Sequence, residues 1–246
     1  MQEIVYHKNY ELENTYWWFV VRNQIIKKVI IELIDLSKDD YVLDVGCGTG
    51  GFAKELLDYA QLICLDTNNL ALEYTRKRGI KNTFNCLLQD FPVVKYNPKI
   101  ITFLDVIEHI EDDNQVVNSA YQSLNIGSYV VATVPAYQWL WSKHDEIHMH
   151  YRRYNLKQLK KLFRENGFHI VYASYFNTIL FPIATLKRFI DKLTGSDKKN
   201  NEPIDEVSPI MNSILKSLFS IEKKFLPKIF FPFGLSIILV AKKLQK

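Results

Sequence analysis

The sequence predicts an α/β fold, a mostly parallel sheet with helices on both faces. Three observations predict it. Short β-rich runs alternate with segments of helical period between residues 41 and 175. A glycine-rich turn, VLDVGCGTGGF at residues 42–52, joins a strand to a segment of helical spacing. The 246 residues, 48% hydrophobic and 24% charged, suit one folded domain with an insertion rather than a disordered or fibrous chain.

Residues 14–36 carry Trp17, Trp18, Val21, Ile25, Val29 and Leu33 at helical spacing. Strands are expected at 41–45, 61–65, 81–87, 99–104, 129–134 and 168–174. Helices are expected at 52–59, 69–78, 112–124 and 155–166, the last with Asn155 as N-cap and Gly167 at its stop. A final strand at 235–241 comes about 60 residues after its predecessor. Between them lie two apolar, lysine-bearing segments, 177–193 and 209–225, and a polar stretch, 194–208, with the composition of a mobile loop. The chain thus divides into one domain over 1–246, with a helical cap at 1–39 and a helical insertion at 176–234.

Net charge is +4. Residues 176–246 hold 12 Lys/Arg against 6 Asp/Glu, whereas residues 1–175 hold 19 against 21. The positive excess is C-terminal, which argues against a nucleic-acid-binding core. No apolar run reaches the ~20 residues a membrane span needs. The start, MQEIVYHKNYELEN, has no apolar core, and Cys47, Cys64 and Cys86 form neither a metal spacing nor an even disulfide set. A cytoplasmic location is expected, with peripheral contact to the inner face of the membrane through 176–234 as one role for the insertion.

The glycine turn admits two ligands. Gly46, Gly48 and Gly51 satisfy G-x-G-x-x-G, and Asp66 lies 20 residues after Gly46, as in a dinucleotide site. Asp44, two residues before the first glycine, points the other way. It would repel a pyrophosphate and attract an ammonium by roughly 1–4 kcal/mol. S-adenosylmethionine (SAM) has an ammonium, ribose hydroxyls and an adenine, and no phosphate.

DVGCGTG after a hydrophobic strand resembles the nucleotide loop of class I SAM-dependent methyltransferases. LICLDTN, LLQDFPV and ITFLDVIEHIED resemble that family's later motifs, in order, over residues 40–175. The resemblance implies a Rossmann-like fold with seven strands, the last inserted antiparallel between the fifth and sixth. It implies SAM as cofactor and S-adenosyl-L-homocysteine as product. Asp44, Gly46, Cys47, Gly48 and Gly50 would form the loop, Asp66 with Thr67 would take the ribose, Asp90 and Phe91 the adenine, and Leu104 would lie beside SAM. Arg22, on the aromatic-rich first helix, would meet the methionine carboxylate.

The segment PAYQWLWSKHDEIHMHYRRYN at 135–155 falls at the carboxyl end of strand five, where open α/β sheets bind ligands. It resembles a branch related to ubiquinone-type O-methyltransferases. His144 or His148 would deprotonate an acceptor hydroxyl. Arg152 and Arg153 would hold an anionic group of the acceptor, or else pair with Asp145 or Glu146. The spacings of His144, His148 and His150, and of Asp105, Glu108 and His109, each raise a metal site. The second resembles an acidic-plus-His cation motif of quinone-type enzymes, with Asp in place of Glu. The reading adopted is a helix-opening acidic cluster and no metal. The expected activity is O-methylation of a small hydrophobic, lipid-linked or saccharide-type acceptor. A nicotinamide-dependent oxidoreductase and a non-catalytic scaffold that binds a membrane or partner are the alternatives. For the insertion, a lid, a homodimer surface and a membrane face compete.

Overall fold

A computed structural model of the chain describes residues 3–194 and 207–245. Most of the polar stretch 194–208 therefore lies outside the described residues. Seven strands form one sheet: β1 (Tyr41–Val45), β2 (Gln61–Leu65), β3 (Asn82–Phe84), β4 (Ile100–Leu104), β5 (Tyr129–Pro135), β6 (His169–Phe176) and β7 (Ser236–Lys242). Their order is β3-β2-β1-β4-β5-β7-β6. Pairings from β3 to β5 are parallel, and β7 lies antiparallel between β5 and β6.

Both faces of the sheet are buried, as a parallel sheet requires. Leu43, Val45, Ile63, Leu65, Ile101 and Phe103 face one core, whereas Val42, Leu62, Cys64, Ile100, Val131 and Val240 face the other. The side-chain period of two along each strand produces this split. Helices α3 (Asn69–Lys77), α4 (Val93–Tyr96), α5 (Asp113–Ser123), α6 (Lys143–Ile147) and α7 (Leu156–Glu165) fill the crossovers. Asn155 caps α7 by accepting from the Gln158 N–H at 2.9 Å, and Asp112 caps α5 in the same way.

Three local expectations change. The helix expected over 14–36 is α2 (Trp17–Leu33), and a further helix, α1 (Glu3–Leu12), precedes it. α1 has an irregular apolar pattern and buries only Val5 and Tyr6, so periodicity does not reveal it. Residues 52–59 form only a single 3-10 turn, Ala53–Leu56, because β2 already starts at Gln61 and leaves little room for a longer helix after Gly51. Glu108 and His109 lie in another short turn, Ile107–His109, ahead of α5 rather than at its opening. In the insertion, α8 (Phe181–Thr194) and α9 (Pro209–Ser220) are helical. α9 packs on α2, where Phe219 stacks on Trp18 at 5.6 Å.

Candidate active site

The carboxyl ends of β1, β2, β4 and β5 open onto one cavity of about 1450 Å3. At the β1 end the chain needs left-handed backbone, and glycine supplies it: φ is +69° at Gly46, +55° at Gly48 and +76° at Gly50. A Cβ on Gly46 would strike Val106 at 2.7 Å, whereas one on Gly48 would enter open space. Asp66 ties the turn to β2 by accepting the N–H groups of Gly48 and Asn68, both at 2.9 Å.

Asp44 is buried, 3% exposed, and accepts a hydrogen bond from the Thr102 hydroxyl at 2.5 Å. Burial raises its pKa to about 6, the Thr102 bond opposing, with Asp66 and Glu13 adding further upward push. Glu13, just past α1, leans over the same turn. Its carboxylate accepts from Thr49 at 2.5 Å and from Arg78 at 2.8 Å, and it occupies the place a Gly51 Cβ would need. Asp44 and Asp66 flank the turn, the charge of Glu13 being offset by its ion pair with Arg78, and the segment after it is a 3-10 turn rather than an α-helix N-terminus. Both features suit a cationic ligand and oppose a pyrophosphate.

The cavity wall brings together Arg22, Asp44, Gly46, Cys47, Gly48, Asp66, Thr67, Leu104, His144 and His148. Gly50, Asp90, Phe91 and Arg152 are outside it. Gly50 supports the turn from behind, against Thr75. Asp90 is exposed, and Phe91 stacks on Tyr96 at 5.2 Å inside the core. Leu87, Leu88 and Gln89 line the cavity at that point instead. Arg152 pairs with Asp113 at 2.9 Å, and Arg153 grips Asp145 at 2.7 and 3.0 Å. Both arginines are structural links here rather than free acceptor clamps. Arg22, 7% exposed, is held by Asp105 at 2.7 Å and Thr133 at 3.3 Å. It faces the cavity as half of an ion pair.

A histidine cluster lines the same cavity as the glycine turn. The His144 and His148 rings are 4.2 Å apart, and those of His109 and His150 are 4.5 Å apart. The Tyr151 N–H donates to the Glu108 carbonyl at 2.8 Å and so joins the loops after β4 and β5. Desolvation, then His150 and His148, lowers the His109 pKa to about 4. Desolvation and then His148 lower that of His144 too, so both rings are neutral at pH 7. Asp105 and Met149 adopt positive φ, 59° and 57°, and both line the cavity, as does Asn177 at 58°. Strained backbone of this kind gathers at functional sites.

Sequence reasoning does not single out Tyr6, Asn9 and Glu13 around α1, nor the meeting of Glu108, His109 and His150. The signal available for the second is topological: loops at the carboxyl ends of adjacent parallel strands are neighbours.

Residues 21–173, more than half of the chain, match the family described as the methyltransferase domain. The chain belongs to the methyltransferase-domain family. One curated relative, the probable cobalt-precorrin-6B C(15)-methyltransferase (decarboxylating) of Methanocaldococcus jannaschii, is 35% identical over 68 residues. That stretch is 27% of this chain and 37% of the relative. The chain thus spans well under half the length of the curated methyltransferase it matches. Among solved structures, the Haloferax volcanii complex between the Trm112 methyltransferase activator and a methyltransferase gives a TM-score of 0.63 at 13% identity, covering 98% of this chain and 95% of that one. A SAM-dependent methyltransferase of Archaeoglobus fulgidus gives 0.57 at 19% identity, covering 90% and 94%. At such identities these likenesses speak for the fold, and that fold is the SAM-dependent methyltransferase one. The residues of this methyltransferase fit its family's cofactor. Gly48 leaves a cradle that a Cβ would fill, Asp44 and Asp66 supply buried acceptors, and Leu104, Leu87 and Leu88 supply apolar wall.

Proposed function

We propose that this methyltransferase moves a methyl group from SAM to a hydroxyl of an amphiphilic, lipid-linked acceptor. The observation that carries the reading is the joining of two half-sites in one space. The glycine turn and the histidine cluster share a cavity of about 1450 Å3, larger than the ~300–1,000 Å3 that one drug-sized ligand fills.

SAM supplies a methyl group on a cationic sulfur. Asp44 would hold its ammonium and Asp66 its ribose hydroxyls, with Leu87, Leu88 and Leu104 against the adenosine. These contacts fix the donor while the cavity walls exclude water. His144, held neutral by burial, or His148 beside it on the cavity wall would accept the hydroxyl proton.

The acceptor class is inferred from α8. Ala184, Lys187, Arg188 and Asp191 line the main cavity. Phe181, Pro182, Thr185, Leu186 and Phe189 of the same helix, with Phe233, line an apolar groove of about 450 Å3. A polar head beside Lys187 and Arg188 and an apolar tail in the groove suit this two-sided helix. Ile183, Leu186 and Phe189 are each more than half exposed, which suits peripheral contact with a lipid surface. No helix among the described residues is long and apolar enough to cross a membrane.

The test is methyl transfer from methyl-labelled SAM to matched acceptors, long-chain hydroxylated amphiphiles against their short-chain, water-soluble counterparts. The reading expects kcat/KM to fall at least about tenfold on tail truncation, the loss expected when a few methylenes leave an apolar groove. Equal turnover of the short compounds would remove the lipid-linked class.

A further inference from the structure

Asn177 follows β6 and leads the chain into the insertion. It is 1% exposed, and its backbone sits at φ +58°, a left-handed conformation that asparagine tolerates better than most residues. The turn it starts is held from several sides. The Leu235 N–H donates to the Asn177 carbonyl at 3.3 Å, and the Thr178 hydroxyl donates to the Phe233 carbonyl at 2.6 Å. Glu222, 0% exposed, accepts the Ile179 N–H at 2.7 Å. Burial pushes the Glu222 carboxyl up, and the N–H groups of Ile179, Thr178 and Asn177 oppose that push. Gly234 lets the two segments touch, since a Cβ there would come within 2.4 Å of the Phe176 carbonyl.

So fixed, Asn177 lines the main cavity, yet its buried Oδ1 has no hydrogen-bond partner among the described residues. Leaving a buried amide oxygen unpaired is costly, and native folds rarely do it. Which ligand would pair it follows from the strand order. Four strand steps, β1 to β4, β5, β7 and β6, separate the glycine turn from Asn177, about 19 Å at the usual spacing of neighbouring strands. SAM held by Asp44 and Asp66 belongs to the β1 and β2 ends. Asn177 shares the other part of the cavity wall with Leu235, Ser236 and the α8 residues Lys187 and Arg188.

We propose that Asn177 is an acceptor-recognition residue whose Oδ1 takes a hydrogen bond from a second hydroxyl of the methyl acceptor, one that is not methylated. The assignment rests on the methyl-transfer reading, because it takes the occupant of that end of the cavity to be the acceptor. A carboxamide oxygen is a neutral hydrogen-bond acceptor, so it selects a free hydroxyl over an ether without calling for charge. Sites built to bond a substrate hydroxyl discriminate strongly against analogues that lack it.

Octylglycerol and its dimethyl ether differ only in whether the hydroxyls are free. Each would be titrated by calorimetry into the full chain already loaded with S-adenosylhomocysteine. The wild type should bind the free diol more tightly than the ether, and Asn177→Gly should narrow that preference about tenfold. Glycine accepts the positive φ, so this variant removes the carboxamide without straining the turn. Asn177→Asp keeps an oxygen there and should keep the preference, whereas a purely structural role would change the affinity for both compounds alike. If Asn177→Gly fails to fold, Asn177→Ala provides the same readout. A wild type without the preference, a wild type that binds neither compound, or a folded variant that keeps the full preference would overturn the assignment. The S-adenosylhomocysteine titration separates the two ideas. Its binding without any hydroxyl preference would sink the Asn177 role and leave the methyltransferase reading intact, whereas its failure to bind would sink that reading itself.

Discussion

The main-chain N–H of Gly48 donates to the Asp66 carboxylate at 2.9 Å, so the end of β2 clamps the turn after β1. The two residues are linked before any ligand arrives. Asp66 therefore both shapes the glycine turn and presents an acceptor to the cavity.

Replacing Asp66 should weaken SAM binding. In Asp66→Ala two hydrogen bonds to a charged acceptor disappear, and the loss should be about 1.5–3 kcal/mol. Isothermal titration checks this, and unchanged affinity would place the ribose elsewhere.

The glycines separate two kinds of damage. Gly48→Ala meets no neighbour within 4 Å, so it should lose only about 1–2 kcal/mol of stability from its positive φ and yet abolish SAM binding. Gly46→Ala drives its Cβ into Val106 and should destabilise the fold itself. Denaturation curves beside titrations distinguish the two. A Gly48→Ala chain that binds SAM normally would contradict the cradle.

Asp44 makes both stability and binding depend on pH. Its folded pKa, about 6, exceeds the ordinary 3.8, so between about pH 4 and 6 the folded state holds more protons than the unfolded one. Stability contributed by this group therefore falls as pH rises through that window. SAM affinity should do the opposite, rising as Asp44 ionises toward pH 7. Asp44→Asn, which keeps an oxygen for Thr102, should flatten both trends. Measuring wild type and variant at pH 5 and pH 7 decides, and an identical pH dependence in both would remove Asp44 from the account.

Asp145 is an internal strut. It is fully buried between Arg153 and His150, whose bonds outweigh burial and hold its carboxyl well below the usual range. Asp145→Ala leaves the Arg153 charge buried and unpaired, and should cost about 3–5 kcal/mol in chemical denaturation. A loss below about 1 kcal/mol would show that water reaches the guanidinium.

Much of the fold and part of the site are legible in the chain. The glycine turn, Asp66 at the next strand end and the inserted antiparallel β7 come from local pattern and family resemblance. Asn155 and Asp112 cap their helices because short polar side chains satisfy free N–H groups wherever a helix begins. The long-range pairings are not legible. Arg152 reaches Asp113 and Arg22 reaches Asp105 across loops far apart in sequence, so nothing in local spacing marks them. Phe91 resembles a ligand contact by position, but its ring packs on Phe84 and Tyr96 in the core. α1 escapes a periodicity search because its docking rests on a few specific contacts, such as Tyr10 on Tyr74 at 4.2 Å, rather than an apolar stripe.

A crystal structure with S-adenosylhomocysteine tests the central claim most directly. The account predicts the amino group beside Asp44 and Gly46, the ribose hydroxyls on Asp66, and the sulfur facing His144 and His148 across open space. A nucleoside seated away from Asp66, or an amino group far from Asp44, would contradict it.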